Sequence, residues 1–252
     1  MAAKKLWIGI ACLLALTLAG GTLALAGQKH YINGIDANFP PFAFVDKNGK
    51  PSGFDVEAVN WIAKKMGFTV THKPMDWDGI IPSLNAKKID FIAAGMTASP
   101  QRRKVVAFTI PYWTIEQVLV VPKDSKLTVE QVLKGGKAIG VQRGTTEAKW
   151  FAEKKGKNGF NYTLRLYDSA PLSVEDMLAG RVAACAMDDA PAKDIMRKKP
   201  IKILGTYGMP PEEFAYAVRK SDTELLKTLN KGLKMLMASP KWQELKKKYK
   251  LQ

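Results

Sequence analysis

From residue 27 onward, apolar and polar positions alternate between two periods, short β-like runs and amphipathic helical stretches. Residues 31–36 read as a strand. Residues 55–66 read as a helix, since Val56, Val59, Ala63 and Met66 share one face and Gly67 follows as a stop. Strands are expected at 68–72 and 89–94, with a short helix at 80–86 between them. Ser99 and Pro100 open another helix, pairing an N-cap residue with a proline at the first helical position. The alternation resumes with strands at 138–141, 164–167, 184–187 and 201–204, separated by helices at 146–155, 172–179 and 190–197. A strand at 214–218 and helices at 222–237 and 242–249 complete the pattern. Repeated strand–helix–strand units imply mostly parallel sheets with helices on both faces.

Residues 118–121 form an apolar run ended by Pro122 and charge, and a self-contained strand–helix block separates them from 214–218. If both runs cross between the same two lobes, the block 122–213 is inserted into a first lobe built from both chain ends. The pattern permits that arrangement without forcing it.

The first residues bear on compartment. Lys4 and Lys5 precede an uncharged run over 6–18, Gly20 and Gly21 interrupt it, and Ala24-Leu25-Ala26 supplies a small-x-small ending. This is the layout of a secretory signal peptide cleaved after Ala26, which places the mature protein in the periplasm. The alternative is an uncleaved anchor, because 6–26 is long enough to span a bilayer as a helix. Cys12 has too little apolar sequence before it to be read as a lipid attachment site.

The formal charge of +16 falls to about +14 once Lys4 and Lys5 are removed. The lysines are spread along the chain apart from Lys246-Lys247-Lys248, and no aromatics interleave with them as a base-stacking surface requires. Nucleic acid is therefore not an expected partner. After cleavage only Cys185 remains, so no internal disulfide forms. Two histidines, His30 and His72, with that cysteine supply neither a zinc set nor much for a nucleophile–base pair. Walker A and dinucleotide motifs are missing. No cofactor, no metal and no enzymatic activity are expected.

Three segments carry candidate chemistry. Gly95-Met96-Thr97-Ala98-Ser99-Pro100-Gln101-Arg102 follows an expected strand, at the strand end where α/β proteins bind ligands. Arg102 there is suited to a bidentate grip on a carboxylate, or else belongs to a solvated basic face with Arg103 and Lys104. Gln142-Arg143-Gly144-Thr145-Thr146 leads a strand into a helix whose free N–H groups and threonine hydroxyls suit an anion, or is an ordinary N-cap turn. Asp188, at another strand's end, either holds an ammonium group or caps the next helix. Phe39 and Trp77 are candidate aromatic walls, although aromatics at such spacing are equally core.

Together these segments resemble the periplasmic polar amino-acid-binding proteins of ABC importers. The likeness runs in order through Asp36…Phe39-Pro40-Pro41-Phe42, Gly53-Phe54-Asp55-Val56, Asp78-Gly79-Ile80-Ile81-Pro82 and Gly95-Met96-Thr97 with Arg102. It continues through Gly140-Val141…Gly144-Thr145-Thr146, Gly180-Arg181 and Met187-Asp188. The resemblance implies a two-lobed α/β fold joined by a two-strand hinge, with 27–119 and 215–252 as one lobe and 120–214 as the inserted one. It implies that Arg102, with Gly95, Thr97 and Thr146, receives the ligand α-carboxylate and that Asp188 takes the α-ammonium, and Thr145 is a further ligand-binding candidate beside Thr146. Phe39 and Trp77 would sandwich the side chain, and Asp36 would meet its polar or cationic end. Gln142 and Met187 stand where relatives place selectivity groups, and Tyr216 where a smaller residue is frequent, so ligand identity stays open. The implied protein is a monomer that binds a free amino acid and delivers it to the membrane subunits of an ABC transporter. The alternative is a cyclohexadienyl-dehydratase-like enzyme on the same scaffold, with Glu147 or Asp189 as its acid.

Overall fold

A computed structural model of the chain describes residues 28–251. The expected signal segment, its cleavage point and Cys12 lie outside the described residues.

The architecture is α/β and two-lobed, each lobe built on a five-stranded sheet. The first sheet has the order Thr69–Met75, His30–Asp36, Phe91–Ile92, Ala217–Val218, Ala107–Phe108. The second has the order Tyr162–Tyr167, Lys137–Gln142, Ala184–Asp188, Gln117–Pro122, Ile201–Thr206. In each sheet four strands share one direction, and the fourth in order runs against them. Those reversed strands, Ala217–Val218 and Gln117–Pro122, are the ones laid down as the chain passes between lobes. The sheets are thus mostly parallel, as strand–helix alternation predicts, with the exception placed by the crossings.

Alternation along each strand divides its side chains between two apolar layers. Leu119 and Val121 pack with Ile139 and Val141 under the helices at Val129–Lys134 and Thr146–Lys154. Val118 and Val120 face the opposite layer with Val174, Cys185 and Ile195. The first sheet is layered likewise: Phe91 and Val218 meet the helices Phe54–Met66 and Thr223–Met237, while Ile92 and Ala217 pack on Ile80 and Leu84. The helix Phe54–Met66 begins with Asp55 and Glu57 and ends with Lys64 and Lys65, both favourable to its dipole, and stops at Gly67 in the left-handed conformation.

Three elements differ from the reading of the sequence. The run at 214–218 is two strands: Glu212–Phe214 pairs antiparallel with Trp113–Ile115, and Ala217–Val218 joins the first sheet. The pair Trp113–Ile115 and Glu212–Phe214 is the two-strand hinge. Gln117–Pro122, expected at 118–121 as a crossing strand, lies whole in the second sheet just beyond it. A helix at Val129–Lys134 was also not expected, although Thr128 and Gln131 form a capping box at its start.

Candidate functional site

The carboxyl ends of the central strands of both sheets face each other across a cavity of about 280 Å³. Asp36, Phe39, Trp77, Gly95, Thr97, Arg102, Gln142, Thr145, Thr146 and Asp188 all line it, so the structure brings all ten candidate residues together. Ala94 and Glu147 complete the lining.

Arg102 does not belong to the solvated face. Ser99 caps the helix Pro100–Arg103 by accepting from the Arg102 backbone N–H, which turns the Arg102 side chain back over the strand end. Its Nη1 donates to the Thr97 carbonyl at 3.0 Å and its Nη2 to the Gly144 carbonyl of the other lobe at 3.0 Å. The guanidinium stacks over Trp77 at 5.3 Å, and Trp77 Nε1 donates to the same Gly144 carbonyl at 3.3 Å. Arg103, by contrast, donates to the Ala98 carbonyl and lies over Phe108. Desolvation lowers the Arg102 pKa, with Glu147, Glu212 and Asp188 opposing. A guanidinium starts high enough to remain charged.

Gly95 carries a φ of +63°, and a Cβ there would meet the Phe39 ring at 2.4 Å. The aromatic wall can close over the strand end because this residue is glycine. The Gly95 N–H donates to Asp55, a buried carboxyl that also accepts from the Tyr112 hydroxyl, each at 2.7 Å. Burial pushes the Asp55 pKa up to about 7.

Across the cleft, Thr145 does serve as an N-cap: its hydroxyl accepts from Ala148 N–H and donates to the Gln142 carbonyl. Thr146 is free of that task, and its hydroxyl donates to Glu212 Oε2 at 2.7 Å. Asp188 occupies the N-cap position of the helix Asp189–Met196, yet its side chain makes no capping hydrogen bond. Of the two readings of Asp188, the capping one is set aside: its carboxyl turns into the cavity, 7 % exposed. Burial raises its pKa well above the ordinary value, followed by the neighbouring Glu147 and Glu212. Asp36, 3 % exposed, accepts from Gln142 Nε2 at 2.8 Å across the cleft. Burial raises its pKa too, against the hydrogen bonds from Gln142 and Asn38.

Of the two residues considered as an enzymatic acid, Glu147 lines the cavity, whereas Asp189 is held by Lys193 at 2.6 Å outside it. Glu212, from the hinge, was not anticipated. Its Oε2 accepts from Thr97 Oγ1, Thr146 Oγ1 and Gln117 Nε2. Among the described residues, no group of three or more His, Cys, Asp or Glu side chains is arranged to hold a metal ion.

The model of the bacterial extracellular solute-binding proteins, family 3, matches residues 31–252. A probable histidine-binding protein of Neisseria gonorrhoeae is 30% identical over 257 residues, covering 97% of this chain and 95% of that one. Among solved structures, a P235GK mutant of the arginine-binding protein ArgBP from T. maritima superposes with a TM-score of 0.80 at 37% identity, over 88% of this chain and 96% of that one. An ancestral amino acid-binding protein, described as a precursor of cyclohexadienyl dehydratase, gives a TM-score of 0.78 at 32% identity, over 87% and 95%.

Proposed function

Because the chain belongs to the bacterial extracellular solute-binding proteins of family 3, we propose that it captures a free polar or cationic amino acid by cleft closure. It then delivers the amino acid to the membrane subunits of an ABC transporter. In this reading it is exported to the periplasm, its signal segment is removed after Ala26, and it works as a monomer.

One observation carries the reading: a guanidinium from one lobe and an uncapped, buried carboxyl from the other open into the same cavity. A free amino acid presents a carboxylate and an ammonium on neighbouring atoms and needs one fixed charge of each sign. Arg102 has five N–H donors and uses two on carbonyls, which leaves donors for a carboxylate. The N–H groups at the start of the helix Thr146–Lys154 and the Thr97 and Thr146 hydroxyls add to that end. Asp188 receives the ammonium. Phe39 and Trp77 flank the side chain, and Asp36 repels an acidic one.

The test is a thermal-shift screen of the common amino acids on protein refolded to strip any carried ligand. A rise in Tm with one or more polar or cationic amino acids is expected, and aspartate and glutamate should give none. No rise with any amino acid would overturn the reading, and a best response to glutamate would overturn its side-chain half.

A second reading rests on Glu147, a carboxyl in the cavity beside Asp188. A cyclohexadienyl-dehydratase-like enzyme needs such an acid, and appearance of an aromatic product from a cyclohexadienyl acid would select it.

A further inference from the structure

Folding gathers lysines that the sequence keeps apart. The helices Phe54–Met66, Thr223–Met237 and Pro240–Lys248 cover one side of the first sheet and share a core of Phe54, Ile62, Leu229, Leu233 and Leu245. Their apolar faces are turned to that core, so their charged residues point outward. The three helices hold nine lysines and four acids. Asp55 is buried against Gly95 and Tyr112. Glu57, Glu224 and Glu244 are each paired with a lysine, respectively Lys248, Lys227 and Lys241. Lys64, Lys65, Lys231, Lys234, Lys246 and Lys247 remain beyond those pairs, as six positive charges on one helical layer.

The kind of charge narrows the partner. No arginine lies in the three helices. The arginine fork matches individual carboxylates and phosphates, whereas lysine is a hydrated point charge on a flexible stem. A layer built from lysine alone suits negative charge spread over a surface rather than a partner docked in one register. Apolar groups stand among these charges. Met235 and Met237 are 40 % and 37 % exposed, one helical turn beyond Lys231 and Lys234. The unbranched thioether adapts to irregular surroundings, and the lysine stems carry methylenes beside it. Lysines with interspersed apolar side chains are the composition of a helical face that lies on an anionic bilayer. No residue lining the ligand cavity comes from these helices, so the face can be covered without touching the site.

We propose that this lysine face docks the exported protein on anionic lipid headgroups. The contact is electrostatic and shallow: it concentrates the protein at the bilayer, and salt releases it. This goes beyond amino-acid capture and rests on the extracytoplasmic family of the chain, not on which ligand it carries.

Co-sedimentation of the exported protein with lipid vesicles tests it, comparing equal parts phosphatidylglycerol and phosphatidylcholine with phosphatidylcholine alone. At about 0.15 M salt, where charges are screened over about 8 Å, the protein should sediment with the mixed vesicles and not with the neutral ones. At about 1 M, where screening acts over about 3 Å, it should be released. Lys231→Gln, Lys234→Gln and Lys247→Gln combined should weaken binding about 10- to 100-fold, since each lysine near an anionic surface contributes about fivefold. Glutamine has nearly the helix propensity of lysine, so these exposed substitutions leave the fold intact. Lys137→Gln, Lys155→Gln and Lys157→Gln combined are the control: they remove the same charge from exposed positions on the other lobe and should change binding less than about twofold. Equal weakening in both triple variants would show attraction to the whole protein's charge and overturn the face. Failure to sediment with the mixed vesicles, or equal sedimentation with the neutral ones, would overturn the lipid partner.

Discussion

Gly144 offers a perturbation that acts on the closed form more than on either lobe. Its φ is +76°, and its carbonyl accepts from both Arg102 Nη2 and Trp77 Nε1 of the opposite lobe. A Cβ added there would lie 2.8 Å from Asp78 Oδ1 and 3.3 Å from Asp78 Cα, both across the cleft. In Gly144→Ala the left-handed backbone costs about 1 kcal/mol whether the lobes are open or shut. The Asp78 contact arises only on closure. The exposed Asp78 carboxylate can swing aside, but its Cα cannot, so the lobes must part by a few tenths of an ångström. That lengthens two hydrogen bonds to one carbonyl, one of them charge-assisted and worth roughly 1.5–3 kcal/mol intact. A closure penalty of about 1–2 kcal/mol follows, or about 5- to 30-fold in affinity. Calorimetry on the variant measures the affinity, and thermal melting of the ligand-free protein measures the backbone cost. Gly156→Ala is the control, with a φ of +74° and nothing near its Cβ: it should lose stability alone. Full affinity in Gly144→Ala would show that the ligand-bound form does not press Gly144 against Asp78.

Arg102→Ala and Asp188→Ala should each weaken amino-acid binding by roughly 3–5 kcal/mol in calorimetry, since each leaves one charge of the ligand buried and unpaired. Small-angle scattering should show a smaller radius of gyration on adding ligand, because Arg102 and Asp188 sit on different lobes; an open free form that does not contract would contradict a shared site. Cys185 should resist a soluble thiol reagent in the native protein and react on denaturation, because it is fully buried and its pKa is pushed up to about 12.

Much of the fold was legible because the signals were local. The Ser99–Pro100 cap, the Gly67 stop and the strand–helix alternation each depend on a few neighbouring residues, and each element appears within a few positions of its expected place. The hinge was less legible. Phe214 and Ala217 belong to different sheets only three residues apart, and a switch of partners leaves no mark in hydrophobic spacing. Residues 89–94 are apolar apart from Asp90, but only Phe91–Ile92 form ladder pairs, because the chain beyond them turns to line the cavity at Ala94 and Gly95. The ten candidate side chains could be named from their strand-end positions and from the family resemblance. What they do to one another could not. The Arg102–Trp77 stack and the double acceptance by the Gly144 carbonyl are contacts between segments distant in sequence. Glu212 carried no signal, since its importance comes from the hinge folding it against Thr97 and Thr146.

The central claim, that a free amino acid is held by its own two charges between Arg102 and Asp188, is tested most directly by altering the ligand. Once the screen has named the preferred amino acid, calorimetry compares it with its methyl ester, which lacks the carboxylate, and its N-acetyl derivative, which lacks the ammonium. Each derivative leaves one buried charge without its partner, so each should bind at least about 100-fold more weakly, in line with roughly 3–5 kcal/mol per broken pair. Retention of full affinity by either derivative would contradict the account.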